Sequence, residues 1–150
     1  MRTKWFEQLS ADKQTGKITK EVILPLFERW VTRRHGSMSF HLTQIMTRHG
    51  CFNSYLYQIG KAASDRCAHC GIARDTLSHT WEECGSWTEE RKLLRMKLNV
   101  GSVTIKSAIE EMLAGPEEWQ AVVHYADRVL LKKEDMERER QGQPGAIRRL

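Results

Sequence analysis

The spacing Cys67-x2-Cys70-x8-His79-x4-Cys84 constrains this chain more than any other feature, because it sets four metal-binding side chains within one short stretch, "CAHCGIARDTLSHTWEEC". A two-residue gap between cysteines lets one tight turn aim both thiolates at a single ion. Gly71, just after that turn, tolerates the backbone it requires. Asp75 is placed to cap one helical turn, "DTLSHT", that carries His79 inward, and Cys84 follows after Trp81. Three sulfurs and one nitrogen at this spacing match a closed structural zinc site, with no position left for an activated water. The metal of such a site holds shape and performs no hydrolysis. The alternative, three small buried thiols and a surface histidine, does not account for the clustering. His69 is expected to point away from the ion. Cys51 lies in an apolar helical context and reads as core.

Metal in place of disulfides presupposes a reducing compartment. No run approaches the ~20 apolar residues of a membrane helix, and Met1-Arg2-Thr3-Lys4 leads into no signal-peptide apolar region. The expectation is an intracellular chain, nuclear or cytoplasmic, without membrane association. With 150 residues, 40% hydrophobic and 29% charged, it can build one modest core. The net charge of +5 is unevenly spread: residues 1–50 carry nine Lys/Arg against four acids, whereas 51–100 and 101–150 are close to balance. That excess suits a polyanion, since each neutralised phosphate releases counterions. An ordinary solvated surface explains it equally well.

The apolar pattern is helical nearly throughout. Val22 to Trp30 is apolar enough for a buried helix that Pro25 must start, kink or break. Ser37 is expected to cap a helix with Met38, Leu42, Ile45 and Met46 on one face, ended by Gly50. Phe52, Tyr55, Leu56 and Ile59 repeat the spacing up to Gly60. Ser86 and Glu89 have capping-box spacing ahead of Leu93, Leu94 and Leu98. Ile105, Ala108, Ile109, Met112 and Leu113 form the next buried face, stopping near Gly115. Pro116 then opens a last helix with Trp119, Val122, Val123, Ala126 and Leu130 on one side. From Lys132 the chain is almost wholly charged, and "GQPGAIRRL" reads as a disordered end.

Nothing in the sequence has the outline of an active site. "YADR", at Tyr125 to Arg128, resembles a polymerase tyrosine-x-Asp-Asp box, but Arg128 occupies the second aspartate position and the stretch lies in a helical pattern. His35, His41 and His49 are scattered without an evident carboxylate cluster. Lys61, Arg66 and Arg74 flank the cysteine loop, where they would soften its negative charge or face nucleic acid. Trp81 and Trp87 either stack on unpaired bases or cover the metal site.

With these pieces in order, the chain resembles the region downstream of the polymerase domain in LINE-like (non-LTR) retrotransposon reverse transcriptases. "TGKITKEVILPLFERWVTRRHG" resembles the family's stretch with a Trp followed closely by His-Gly. "FHLTQIMTRHGCFNSYLYQIG" is similar to its His-Gly-Cys-Phe, Tyr-Leu and Ile-Gly segment. "CAHC", "DTLSHT" and "EECGSW" resemble its CCHC knuckle, and "PEEWQAVVHYADRVLLKKEDMERER" its closing helix. Arg48 departs from the pattern, the family often having glycine there. The polymerase and endonuclease domains are absent from this sequence, which points to a fragment or a decayed copy. The resemblance implies Cys67, Cys70, His79 and Cys84 as zinc ligands and a role in holding element RNA or target DNA.

The combined expectation is a mainly α, small helical domain with a zinc-knuckle loop and a long C-terminal helix. Residues 1–62 form a basic helical region, 63–86 the CCHC zinc knuckle, 87–141 a second helical region and 142–150 a disordered tail. Its function is expected to be nucleic-acid binding (RNA or single-stranded DNA) through Lys61, Arg66 and Arg74, without catalysis of its own. Two alternatives stand beside it: an interaction module docking on the polymerase domain, and a decayed reading frame with no activity.

Overall fold

The structure, a computed structural model, describes residues 2–11 and 19–142. It is mainly helical, with no strand among the described residues. The α-helices are α1 (Arg2–Ala11), α2 (Phe27–Thr32), α3 (Phe40–Thr47), α4 (Asn53–Gln58), α5 (Thr88–Leu98), α6 (Ile105–Met112) and α7 (Pro116–Arg140). The cysteine loop lies between α4 and α5. The tail expected at 142–150 falls, from residue 143 on, outside the described residues.

α7 is the axis on which the rest is assembled. Its 25 residues reach about 37 Å at ~1.5 Å per residue. Trp119, Val122, Val123, Ala126 and Leu130 are buried, and Ala121, Tyr125 and Val129 widen the stripe. The wide stripe follows from the packing of α3, α5 and α6 all against this one helix. Pro116 occupies its first turn, where the missing N–H costs nothing. The Tyr125 to Arg128 stretch is part of α7: Tyr125 is buried, and Asp127 bonds His41. Cys67, Leu77, Trp81 and Cys84 of the cysteine loop share a single apolar cluster with α3, α5, α6 and α7.

Several local expectations shift by a residue or two. Pro25 breaks the apolar run: a π-turn (Thr19–Ile23) and a 3-10 turn (Leu24–Leu26) precede α2. Ser39, not Ser37, caps α3, its hydroxyl accepting from the Leu42 N–H at 3.1 Å. The reason lies upstream, since the Ser37 carbonyl is taken by the Trp119 indole N–H at 3.1 Å. Met38 is therefore outside the helix and exposed, while Leu42, Ile45 and Met46 are buried. α3 ends before Gly50, at Arg48, whose φ of 62° is left-handed. Ser86 and Glu89 form no capping box, because Ser86 sits in a 3-10 turn (Gly85–Trp87) that drives Trp87 into the core. Leu94 and Leu98 are buried there, whereas Leu93 is exposed. The reciprocal box occurs at α6 instead, between Thr104 and Ser107.

Gly36 is fixed by geometry. Its φ is +82°, and a Cβ there would lie 2.2 Å from Cδ2 of Trp119. Arg33 stacks its guanidinium on both Trp30 and Trp119, at 4.6 and 4.8 Å from the ring centroids. His35 shares a 2.8 Å hydrogen bond with the Met112 carbonyl. The "RRHG" stretch thus clamps the incoming chain onto α6 and α7.

Candidate metal centre

The loop begins as a short hairpin. Arg66 and Arg74 sit opposite one another, and the Cys67 N–H donates to the Ala73 carbonyl at 2.8 Å. The Asp75 N–H donates to the Asp65 carbonyl, also at 2.8 Å. The turn closes with Gly71 N–H to Cys67 carbonyl at 2.8 Å, and Gly71 adopts φ +71° as the spacing requires. This geometry points backbone N–H groups at sulfur. Those of Ala73 and Ile72 donate to Cys70 and pull its thiol down to about 6. Burial pushes Cys67 up to about 11, against the N–H groups of Cys70 and His69. Donors on both sulfurs are what thiolate ligands need once a cation offsets the burial.

The other two candidate ligands arrive from a helical turn. Thr76, not Asp75, starts it: its hydroxyl accepts from the His79 N–H at 3.0 Å. A π-turn (His79–Glu83) then carries His79 and Trp81 inward and delivers Cys84 at its end. The Cys84 N–H donates back to the His79 carbonyl at 2.7 Å.

Together the four side chains form a cluster whose ligand atoms all lie within 4.8 Å of one another. Cys67 Sγ is 3.9 Å from Cys84 Sγ, and Cys70 Sγ is 3.4 Å from His79 Nε2. A tetrahedral ion with bonds of about 2.3 Å to sulfur and about 2.05 Å to nitrogen separates such pairs by about 3.8 and about 3.6 Å. The cluster fits a metal ion of that kind. Cys67, His79 and Cys84 are buried and Cys70 is half-buried. His79 Nδ1 is buried without a hydrogen bond, and the nearest carboxylate oxygen of Glu83 lies 3.9 Å away.

Three residues hold this centre in place in roles that the sequence does not signal, Asp75 among them, since the cap expected of it falls to Thr76. Arg91 of α5 donates Nε to the Trp81 carbonyl at 3.0 Å and Nη2 to the carbonyls of Thr80 and Cys84 at 3.2 and 3.0 Å. It thereby satisfies the end of the π-turn. Asp75 is a buried hub: its carboxylate accepts from the Asn53 N–H at 2.8 Å, from the Thr80 hydroxyl at 3.2 Å, and from Lys133. Lys133, from the charged end of α7, is itself buried.

The remaining candidates separate cleanly. Cys51 is outside the cluster, with its thiol 3.5 Å from the Lys133 carbonyl. The His69 ring turns onto Trp87, 4.7 Å between centroids. Trp81 and Trp87 are each 3% exposed, which removes the stacking option and leaves them covering the centre. Trp81 packs edge-on against Tyr125, whose hydroxyl donates to the Trp81 carbonyl at 2.8 Å. Arg66 and Arg74 are exposed on the hairpin: Arg66 reaches the Gly71 carbonyl at 3.2 Å, and Arg74 reaches Asp65 at 3.1 Å. Lys61 is exposed just beyond α4, its carbonyl receiving Arg140 at 3.4 Å.

Away from the loop, His41 has a carboxylate at each ring nitrogen, Asp127 at Nδ1 and Glu134 at Nε2, both at 2.9 Å. This link, buried at His41 and open to solvent at Asp127, ties α3 to α7 and sits apart from the cysteines. No helix among the described residues is long and apolar enough to cross a membrane. Comparison with protein-family models, curated proteins and solved structures found no match to this chain.

Proposed function

We propose that the cluster binds zinc as a structural ion, and that the chain is a nucleic-acid-binding accessory segment of a non-LTR retrotransposon reverse transcriptase. The observation that carries the zinc reading is the ligand set: three sulfurs and one imidazole nitrogen at tetrahedral separations. Thiolate and imidazole donors suit zinc, whereas magnesium and calcium take oxygen. The residues of this chain would do the holding: Cys67 and Cys70 from the hairpin, His79 and Cys84 from the π-turn. Zinc would supply cross-linking between the two halves of the loop.

The nucleic-acid part rests on the two exposed arginines of the hairpin, on the positive excess of residues 1–50, and on the resemblance described above. Phosphate contacts of this kind position a strand without reading its sequence. Mixed charges along the last helix would favour the competing docking-module reading, since they suit a partner helix better than phosphate. Much of that charge is paired within the chain: Lys132 with Glu90, Lys133 with Asp75, Glu134 with His41, Arg138 with Asp135 and Arg140 with Glu137.

Elemental analysis of the purified chain should return about one zinc per molecule. Single-stranded RNA should bind with an affinity that falls as salt rises, and chelator should weaken it. Salt-independent binding, or none, would overturn the nucleic-acid reading; a metal-free chain would overturn the zinc reading.

A further inference from the structure

The inner side of the loop is committed to the cysteines, but its outer end carries a different chemistry. Ile72, between Gly71 and Ala73, is 82% exposed, more than any other large apolar side chain among the described residues. Single exposed apolar residues are ordinary on protein surfaces. This one sits on a tight turn, closed by the Gly71 N–H donating to the Cys67 carbonyl at 2.8 Å. The space around the turn is open, since a Cβ on Gly71 would meet nothing within 4 Å.

Two guanidinium groups accompany the tip. Arg66 Nη1 donates to the Gly71 carbonyl at 3.2 Å, which places that group against the turn itself. Arg74 faces Arg66 across the hairpin and is 67% exposed at its side chain even while it meets Asp65. Trp81 and Trp87 are buried, so neither offers a face to a base.

Resting on the nucleic-acid reading above, we propose that Ile72, Arg66 and Arg74 form the base-contacting tip of the interface, and that its ligand is an unpaired strand. Every base has an apolar face, and an unpaired one can lay it on Ile72. The flanking guanidinium groups suit phosphate geometry and can also stack on a neighbouring base. A duplex hides those faces within its own stack. Charge complementarity favours a polyanion over a protein partner, given two exposed guanidinium groups beside one aliphatic side chain at the tip.

The test uses the zinc-loaded full chain, a labelled mixed-sequence RNA strand, and the same strand annealed to its complement. Anisotropy is followed across a salt series. Ile72→Ser should weaken single-strand binding about tenfold, as the loss of one aliphatic side chain's apolar contact implies, with an unchanged salt slope and unchanged melting temperature. Ile72→Phe should tighten it. Arg66→Gln with Arg74→Gln should reduce the salt slope by about 1.4, at ~0.7 per phosphate contact on a single strand. If the native chain binds the strand and Ile72→Ser binds it equally well, the tip is wrong while the broader reading stands. A tip that docks on a protein would give that result. Equal losses on strand and duplex would overturn the preference for unpaired bases. A native chain that binds neither removes the broader reading and the tip with it.

Discussion

The ammonium of Lys133 lies 2.8 and 3.0 Å from the two carboxylate oxygens of Asp75, with both side chains almost wholly removed from solvent. The pair fastens the cysteine loop to α7. Asp75→Asn should cost about 3–5 kcal/mol, because it leaves a buried ammonium without its counter-charge. Lys133→Met should cost less, since the carboxylate keeps the Asn53 and Thr80 hydrogen bonds. Urea unfolding of both variants measures this, and a loss below about 1 kcal/mol for Asp75→Asn would show that the pair does not hold the loop.

Cys70→Ser should abolish metal binding, while Cys51→Ser should retain it. The Cys51 thiol lies outside the four-ligand cluster, near the Lys133 carbonyl. Metal content of the purified variants distinguishes them. Release of the ion from Cys51→Ser would mean the ligand assignment is wrong.

Gly36→Ala should lower stability by about 2–4 kcal/mol, combining left-handed strain with overpacking against an aromatic ring. The ring is Trp119, which a new Cβ would meet at 2.2 Å. Thermal melts of the variant read the effect directly, and an unchanged Tm would contradict the close approach.

Arg48→Gly should do the opposite. Arg48 ends α3 at φ 62°, a conformation glycine adopts without a Cβ penalty. After allowing for glycine's greater unfolded-state entropy, the gain is about 0.5–1 kcal/mol. A destabilised variant would mean that the Arg48 side chain makes a contact worth more than the strain.

Alkali should unfold the protein in a defined window. Burial pushes the Tyr125 phenol from 10.0 to about 12 and the Cys51 thiol from 9.0 to about 12. Each raised value favours the protonated, folded form, so the contribution is complete below the unfolded pKa and is lost as pH climbs toward the folded one. Stability should therefore begin to fall near pH 9, and more steeply above pH 10. Each group adds a slope of up to about 1.4 kcal/mol per pH unit. Tyr125→Phe should flatten the decline between pH 10 and 12 relative to the native chain. An identical profile would remove Tyr125 as a cause.

The parts that could be read from residue order are those whose partners are close in the chain. The Cys67–Cys70 turn needs only four residues and a glycine, and the buried stripe of α7 needs only helical periodicity. Capping was less legible. Ser37 and Ser39 are both adequate caps by type, and the choice fell to a contact with Trp119, 82 residues away from Ser37. The box at Thr104 and Ser107 was hidden because serine at the third position is a weaker signal than glutamate.

Charge is where residue order and packing part company. "KKEDMERER" looks like a solvated end, since a charge run ordinarily stays in water. Which lysine loses its water depends on whether a carboxylate waits in the core to replace it, and Asp75 lies 58 positions upstream of Lys133. His41 finds its carboxylates 86 and 93 positions away for the same reason. Cysteine spacing and helical period are written in covalent distance, so the cysteine loop and the helices follow from the order of residues. Burial of a charge is a balance between lost hydration and a partner that folding alone brings near, and so the latch between the loop and α7 comes into existence only with the assembled core.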